Sequence, residues 1–174
     1  MNNVEIKAVC PNLDATAAQL RDIDGARHAG TLHQIDTYFC VRHGRLKLRE
    51  NQGDSAQLMQ YLRPDEPGSR LSDYLLVATD EPEKMKIAVG RSLGVWVVVE
   101  KTRELFLWRN TRIHLDSVAG LSKFLELETV INDQSVDDTV IECGEIQKVL
   151  GISQSRSIAD SYADMMAKTD MEDR

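Results

Sequence analysis

Residues 44–49 read Gly-Arg-Leu-Lys-Leu-Arg, and residues 124–128 read Phe-Leu-Glu-Leu-Glu. Charged and apolar side chains alternate one for one, so a strand puts all the charge on one face and the leucines on the other. The same parity recurs along the chain. Glu5 and Lys7 oppose Val4, Ile6 and Ala8; Tyr61 and Arg63 oppose Leu62; Lys101 and Arg103 share a face; Arg112, His114 and Asp116 alternate with Ile113 and Leu115. Strands of this kind predict an α+β fold, mainly β, built as an antiparallel barrel or a sandwich with covering helices.

Around these stretches, strand character covers Val4–Ala8, Leu32–Val41, Arg45–Glu50, Gln57–Arg63, Asp73–Ala78, Val95–Trp108, Thr111–Val118 and Phe124–Val130. Turn-rich separators lie between them, and Arg109-Asn110 is the expected hairpin turn after the long strand. Asp14 is the expected cap of a short helix with Leu13, Ala17, Leu20 and Ile23 on one face; Gly25 and Gly30 then break the chain. Pro82 opens a helix that Gly94 stops. A third helix runs from Ser135 or Asp137 to Leu150, and a fourth starts at about Ser155, with a frayed tail from Lys168. The expected organisation is a strand-rich barrel or sandwich over residues 1–132, with C-terminal helices over 133–174 packing on it as part of the same domain.

The 174 residues are 42% hydrophobic, enough for one core. A net charge of −7 and a pI near 5.1 argue against general affinity for nucleic acid or an anionic membrane, so neither is an expected partner. Cys10, Cys40 and Cys143 are odd in number and widely spaced, as for inert reduced thiols. With no leader pattern at the N-terminus and no membrane-length apolar run, a soluble cytoplasmic protein is expected.

A charged strand face usually meets solvent. Here, however, nearly every strand has an apolar face too, and at least three amphipathic helices need apolar surface to cover. If those helices pack outside, the charged faces turn inward around a common space. About eight cations and four carboxylates would then need a ligand to offset their desolvation. Lys7, Arg45, Lys47, Arg49, Arg63, Lys101, Arg103 and Arg112 exceed Glu5, Asp116, Glu126 and Glu128 by about four charges, which suits a polyphosphate. The carboxylates cannot bind phosphate directly and make sense as oxygen ligands for Mg²⁺ or Mn²⁺. No GxxxxGK[ST] loop is present.

Glu5-Ile6-Lys7, Asp36-Thr37-Tyr38-Phe39, Gly44–Arg49, Arg112-Ile113-His114-Leu115-Asp116 and Phe124–Glu128, in that order, resemble the CYTH domains, or triphosphate tunnel metalloenzymes. Ser161-Tyr162-Ala163-Asp164 adds to the likeness. The resemblance implies an eight-stranded antiparallel barrel enclosing a tunnel for triphosphate compounds, in a family that includes class IV adenylate cyclases and inorganic, thiamine and RNA triphosphatases. Carried over by position, Lys7, Arg45, Lys47, Arg49, Arg63, Lys101, Arg103 and Arg112 hold phosphates. Glu5, Asp116, Glu126 and Glu128 hold Mg²⁺ or Mn²⁺, directly or through water. Glu5, Lys7, Lys101 and Arg103 form the catalytic set. The implied partner is a small triphosphate such as inorganic triphosphate or ATP, and a homodimer is compatible with the resemblance. Metal-dependent hydrolysis is the first expectation. Cyclisation of ATP to cyclic AMP and non-catalytic polyphosphate binding are the alternatives.

One position departs from the family's Glu-x-Glu-x-Lys signature: Asn3 replaces the first Glu. Its amide oxygen can ligate a cation but brings no charge. His114 is a candidate to orient a phosphate or a metal-bound water. Tyr38 and Tyr61 read equally as phosphate donors or strand packing. Trp96 and Trp108 read as core anchors, with adenine stacking as the alternative. The Ile158, Tyr162, Met165, Met166 stripe reads as packing on the barrel or a second subunit, or as a lid over the tunnel mouth.

Overall fold

The computed structural model describes residues 2–53, 56–62, 70–153 and 157–172. In chain order the elements are β1 (Asn2–Val9), α1 (Leu13–Arg21), β2 (Arg27–Phe39), β3 (Arg45–Asn51), β4 (Ala56–Leu62), β5 (Arg70–Thr79), α2 (Pro82–Leu93), β6 (Val95–Trp108), β7 (Thr111–Val118), β8 (Lys123–Val130), α3 (Val136–Val149) and α4 (Tyr162–Glu172). The strands close into an antiparallel barrel in the order β1-β5-β4-β3-β2-β6-β7-β8. Closure leaves no sheet edge and gives each strand one inward and one outward face. Arg63 lies outside the described residues. No described helix is long and apolar enough to cross a membrane.

The barrel is inverted: its main hydrophobic core lies outside the sheet. Val4 and Ile6 of β1, Phe106 and Trp108 of β6, Ile113 and Leu115 of β7, and Leu125 and Leu127 of β8 are buried on the outer face. Ala17 and Leu20 of α1, with Cys143 and Ile146 of α3, complete this cluster. Trp108 is thus a core anchor, its indole N–H donating to the Asp24 carbonyl at 3.2 Å. A carboxylate fixes α3 in place: Glu142 accepts from the Asn110 backbone N–H and the Thr111 hydroxyl, both at 2.9 Å. On the other flank, Met85 and Val89 of α2 cover Phe39, Leu48 and Ala56.

Three local features differ from expectation. Gly30 does not break the chain. At a φ of 139° it absorbs a register shift between His28 and Gly30, and β2 pairs with β6 from Arg27 onward. Asn12, not Asp14, caps α1, its side-chain oxygen accepting from the Ala15 N–H at 3.1 Å. The fourth helix starts at Tyr162 because the preceding segment is drawn onto the sheet: Ser157 bridges to Ala8, and the Ile158 N–H donates to the Lys7 carbonyl at 2.8 Å. α4 continues past Lys168 to Glu172, and the rest of the expected frayed tail, residues 173–174, lies outside the described residues.

The inversion is testable on the outer face of β8. Leu127, fully buried on the outer face, should cost about 2–5 kcal/mol of stability when changed to Ala. Urea unfolding reads this directly; a loss below about 1 kcal/mol would contradict the packing described.

Candidate active site

All eight strands contribute inward side chains to one cavity of about 290 Å³. Its basic wall is Lys47 and Arg49 on β3 with Lys101 and Arg103 on β6. Between these strands stands Asp36 of β2, 1% exposed. Lys47 Nζ and Lys101 Nζ donate to its Oδ2 at 2.9 and 2.7 Å, while Arg49 forks onto both oxygens at 2.7 Å each. Burial opposes the charge of Asp36, but Arg49, Lys101 and Lys47 outweigh it and hold the carboxyl well below its usual range. Burial lowers the lysines despite Asp36, with neighbouring guanidinium groups adding to the effect: Lys101 falls to about 7 and Lys47 to about 8.

Across the cavity, β1, β7 and β8 carry the acidic groups. In register, Glu5 faces Glu128, which faces Arg112, and Lys7 faces Glu126, which faces His114. Lys7 Nζ lies 3.3 Å from Glu126 Oε1, and Arg103 donates to Glu126 Oε2 at 3.0 Å. Burial works against ionised Glu126, yet Lys7 foremost, then His114 and Arg103, keep its carboxyl well below its usual range.

At one end the inward residues turn apolar, and α4 closes the barrel. Tyr162 and Ala163 pack with Tyr38, Val97, Val99, Val118 and Phe124. The Tyr162 ring lies 4.0 Å beneath Lys7 Nζ, and its hydroxyl donates to Asp116 Oδ2 at 2.7 Å. A reciprocal cap starts this helix: the Ser161 N–H donates to Asp164 Oδ2 at 2.9 Å, and the Asp164 N–H donates to Ser161 Oγ at 3.1 Å. Of the Ile158, Tyr162, Met165, Met166 stripe, Tyr162 therefore enters the barrel end while the others pack around it.

Glu5, Lys7, Lys47, Arg49, Lys101, Arg103, Arg112, Glu126 and Glu128 line this cavity together. Two expected residues stand apart. Arg45 donates to Asp164 Oδ2 at 2.7 Å, bracing the start of α4. Asp116 sits behind Arg103, which forks onto it at 2.7 and 2.6 Å, while Tyr162 takes further lone-pair capacity. Asp36 is the charged cavity residue, among those described, to which sequence reasoning gave no role, although its alternation with Gln34 and Tyr38 along β2 is a signal for an inward position. Six cations therefore face four carboxylates around the cavity among the described residues, so the surplus is two charges and not about four.

The donor set suits a divalent cation. His114, Glu126 and Glu128 each offer one atom, and these atoms lie within 4.8 Å of one another. His114 Nδ1 and Asn3 Oδ1 are buried with no hydrogen-bond partner among the described residues, and both side chains line the cavity. Buried polar atoms without hydrogen-bond partners beside carboxylates are what a bound cation would satisfy.

Lys101 and Lys47 are expected to lose their side-chain protons near pH 7 and 8, well before an ordinary lysine. A ¹⁵N-lysine NMR titration checks this. Asp36→Asn should lower both values further, because Asp36 favours their charged forms; two lysines still protonated at pH 9.5 would contradict the assignment.

Comparison with known proteins places this geometry. The family model for the CYTH domain matches residues 1–162. A Methanocaldococcus jannaschii protein provisionally named an adenylate cyclase is 30% identical over 174 residues, covering 95% of this chain and 98% of that protein. The structure of the PH1012 protein from Pyrococcus horikoshii superposes with a TM-score of 0.82 at 19% identity, over 92% of this chain and 97% of that one. A Vibrio parahaemolyticus protein, also provisionally named an adenylate cyclase, gives a TM-score of 0.78 at 16% identity, over 95% and 97% of the two chains. The matched length, the closed barrel and the charged interior lead to one conclusion: this chain belongs to the CYTH domain family.

Proposed function

We propose that this chain is a metal-dependent enzyme that draws a triphosphate compound into its barrel and hydrolyses it, with inorganic triphosphate or a nucleoside triphosphate as substrate. The observation that carries the reading is a wall of four cations facing a carboxylate and imidazole cluster across one cavity. Polyphosphate oxygens need the first, and a charge-neutralising divalent ion needs the second. Family membership supports it, since CYTH proteins act on triphosphates.

Arg49 and Arg103 present planar forks, while Lys47 and Lys101 present point charges, to the phosphoryl oxygens. Asp36 fixes three of these four before any ligand arrives, and Asp116 with Glu126 fixes the fourth. Lys7 and Arg112 extend positive charge along the chain of phosphates. Glu5, Glu126 and Glu128 would hold Mg²⁺ or Mn²⁺, which when bound neutralises the phosphoryl oxygens and activates water. Arg45, Arg63 and Asp116 keep supporting places in the proposal: Arg45 by bracing α4, Asp116 by orienting Arg103, and Arg63 by position alone. Stabilising the charge that develops on phosphoryl oxygens is the chain's main contribution to the rate.

Cyclisation of ATP is the second reading. Met59, Tyr61, Tyr74 and Leu76, side by side on β4 and β5, give the cavity a less polar strip where a purine could lie. The names carried by the two relatives above favour this reading too.

Product identity separates the readings. Incubation with inorganic triphosphate or ATP and Mg²⁺ or Mn²⁺ should release orthophosphate; cyclic AMP without orthophosphate would replace hydrolysis by cyclisation. Tight binding with no product from either would leave a binding protein. Lys47→Ala should weaken triphosphate binding by about 1.5–3 kcal/mol, the value of a lost charged hydrogen bond. Binding should also weaken as pH rises from 7 through 8, because the anion prefers the protonated lysines and the empty site releases those protons there. Calorimetry in buffers of different ionisation enthalpy measures the proton uptake, and its absence at pH 8 would contradict the lysine assignment.

A further inference from the structure

We propose that His114 is a direct ligand of the divalent metal, through Nδ1, and that it tilts the site toward an ion that accepts nitrogen, such as Mn²⁺ or Co²⁺, over Mg²⁺. The inference rests on the triphosphate-tunnel reading and specifies the metal chemistry of that same cavity.

His114 is 4% exposed, and its ring sits on the inner face of β7 among groups from three strands. Nδ1 lies 3.5 Å from Glu126 Oε2 and 3.8 Å from Glu128 Oε1. At these distances Nδ1 stands in electrostatic contact with both carboxylates but has no hydrogen-bond partner among the described residues. A buried imidazole nitrogen pointing between two carboxylates is poorly placed as a neutral acceptor, because three lone-pair-bearing atoms then converge on one point. A shared cation removes that conflict. Neighbouring donors around one octahedral ion with bonds of about 2.0–2.2 Å lie roughly 3 Å apart, so a small inward adjustment of these side chains brings the three donor atoms onto a common ion.

The neighbours set the remaining donor capacity. Glu126 also receives Lys7 and Arg103, so part of its charge is already committed. Glu128 and His114 are then the stronger donors, with Glu126 adding a remaining lone pair. Asn3 bears on the same balance: it brings a neutral amide to the cavity wall, so an oxygen-only site would be weak in charge. A nitrogen donor compensates through bond strength. Imidazole suits the transition ions, whereas Mg²⁺ favours oxygen ligands and water.

Electron spin echo spectroscopy on the intact protein, loaded with Mn²⁺ and free of triphosphate, tests this without relying on turnover. Modulation from a directly bonded ¹⁴N nucleus is expected in the native chain and should vanish in both His114→Ala and His114→Gln. Competition read from the Mn²⁺ signal should give a preference for Mn²⁺ over Mg²⁺ of about tenfold or more, collapsing in both variants. Mn²⁺ bound without ¹⁴N modulation, no Mn²⁺ bound at all, or an unchanged Mn²⁺ to Mg²⁺ ratio in folded variants would overturn the inference. If orthophosphate is still released from triphosphate in those cases, the hydrolytic reading stands without it. Intact ¹⁴N modulation with no turnover of any triphosphate would instead sink that reading and leave the ligand assignment in place.

Discussion

Charge taken out of water must find charge, or the protein does not fold around it. This barrel encloses Lys7, Lys47, Arg49, Lys101, Arg103, Glu5, Asp36 and Glu126 among others, and its architecture is organised around keeping them paired. The deepest solution is Asp36, a single carboxylate holding cations from β3 and β6. A second is Asp116, which holds Arg103 from behind. These two acids keep the guanidinium and ammonium groups of the basic wall in fixed positions before any anion arrives. Donors fixed in advance need little reorganisation when charge develops on a substrate, which is where electrostatic catalysis gains its strength.

The C-terminal helix completes this arrangement. Its first residues enter the end of the barrel, where Val97, Val99, Val118 and Phe124 replace charged groups on the inner face. The Tyr162 hydroxyl reaches Asp116, and Arg45 reaches Asp164. The basic wall thus runs into an apolar closure, where low polarisability strengthens every interaction beside it. The lowered proton affinities of Lys101 and Lys47 follow from that environment, burial being the main cause.

Much of this was legible in the sequence because strand parity is a local property. Alternation in residues 44–49 and 124–128, together with helices that needed apolar surface, implied a sheet with its charge inside. The outer core bears this out in Leu125, Leu127, Ile113 and Leu115. Less legible was anything decided by closure. Asp36 meets Lys101, 65 positions away, only because β2 lies between β3 and β6. Arg45 shares the parity of Lys47 and Arg49 but lies near the closed end, where Asp164, 119 positions on, engages it. Gly30 looked like a break because a bulge and a turn make the same demand on backbone conformation; only the partner strand distinguishes them.

The alternation that defines the barrel also acts as a partition. Along β8, Leu125 and Leu127 bind the sheet to its helices, while the intervening Glu126 faces the cavity. Structural integrity and chemistry are thus held in two sets of side chains on opposite faces of a common wall. The inner set could be rewritten, exchanging a carboxylate for an amide, while the helical jacket keeps the wall standing. A scaffold divided in this way can change its reaction without relearning how to fold.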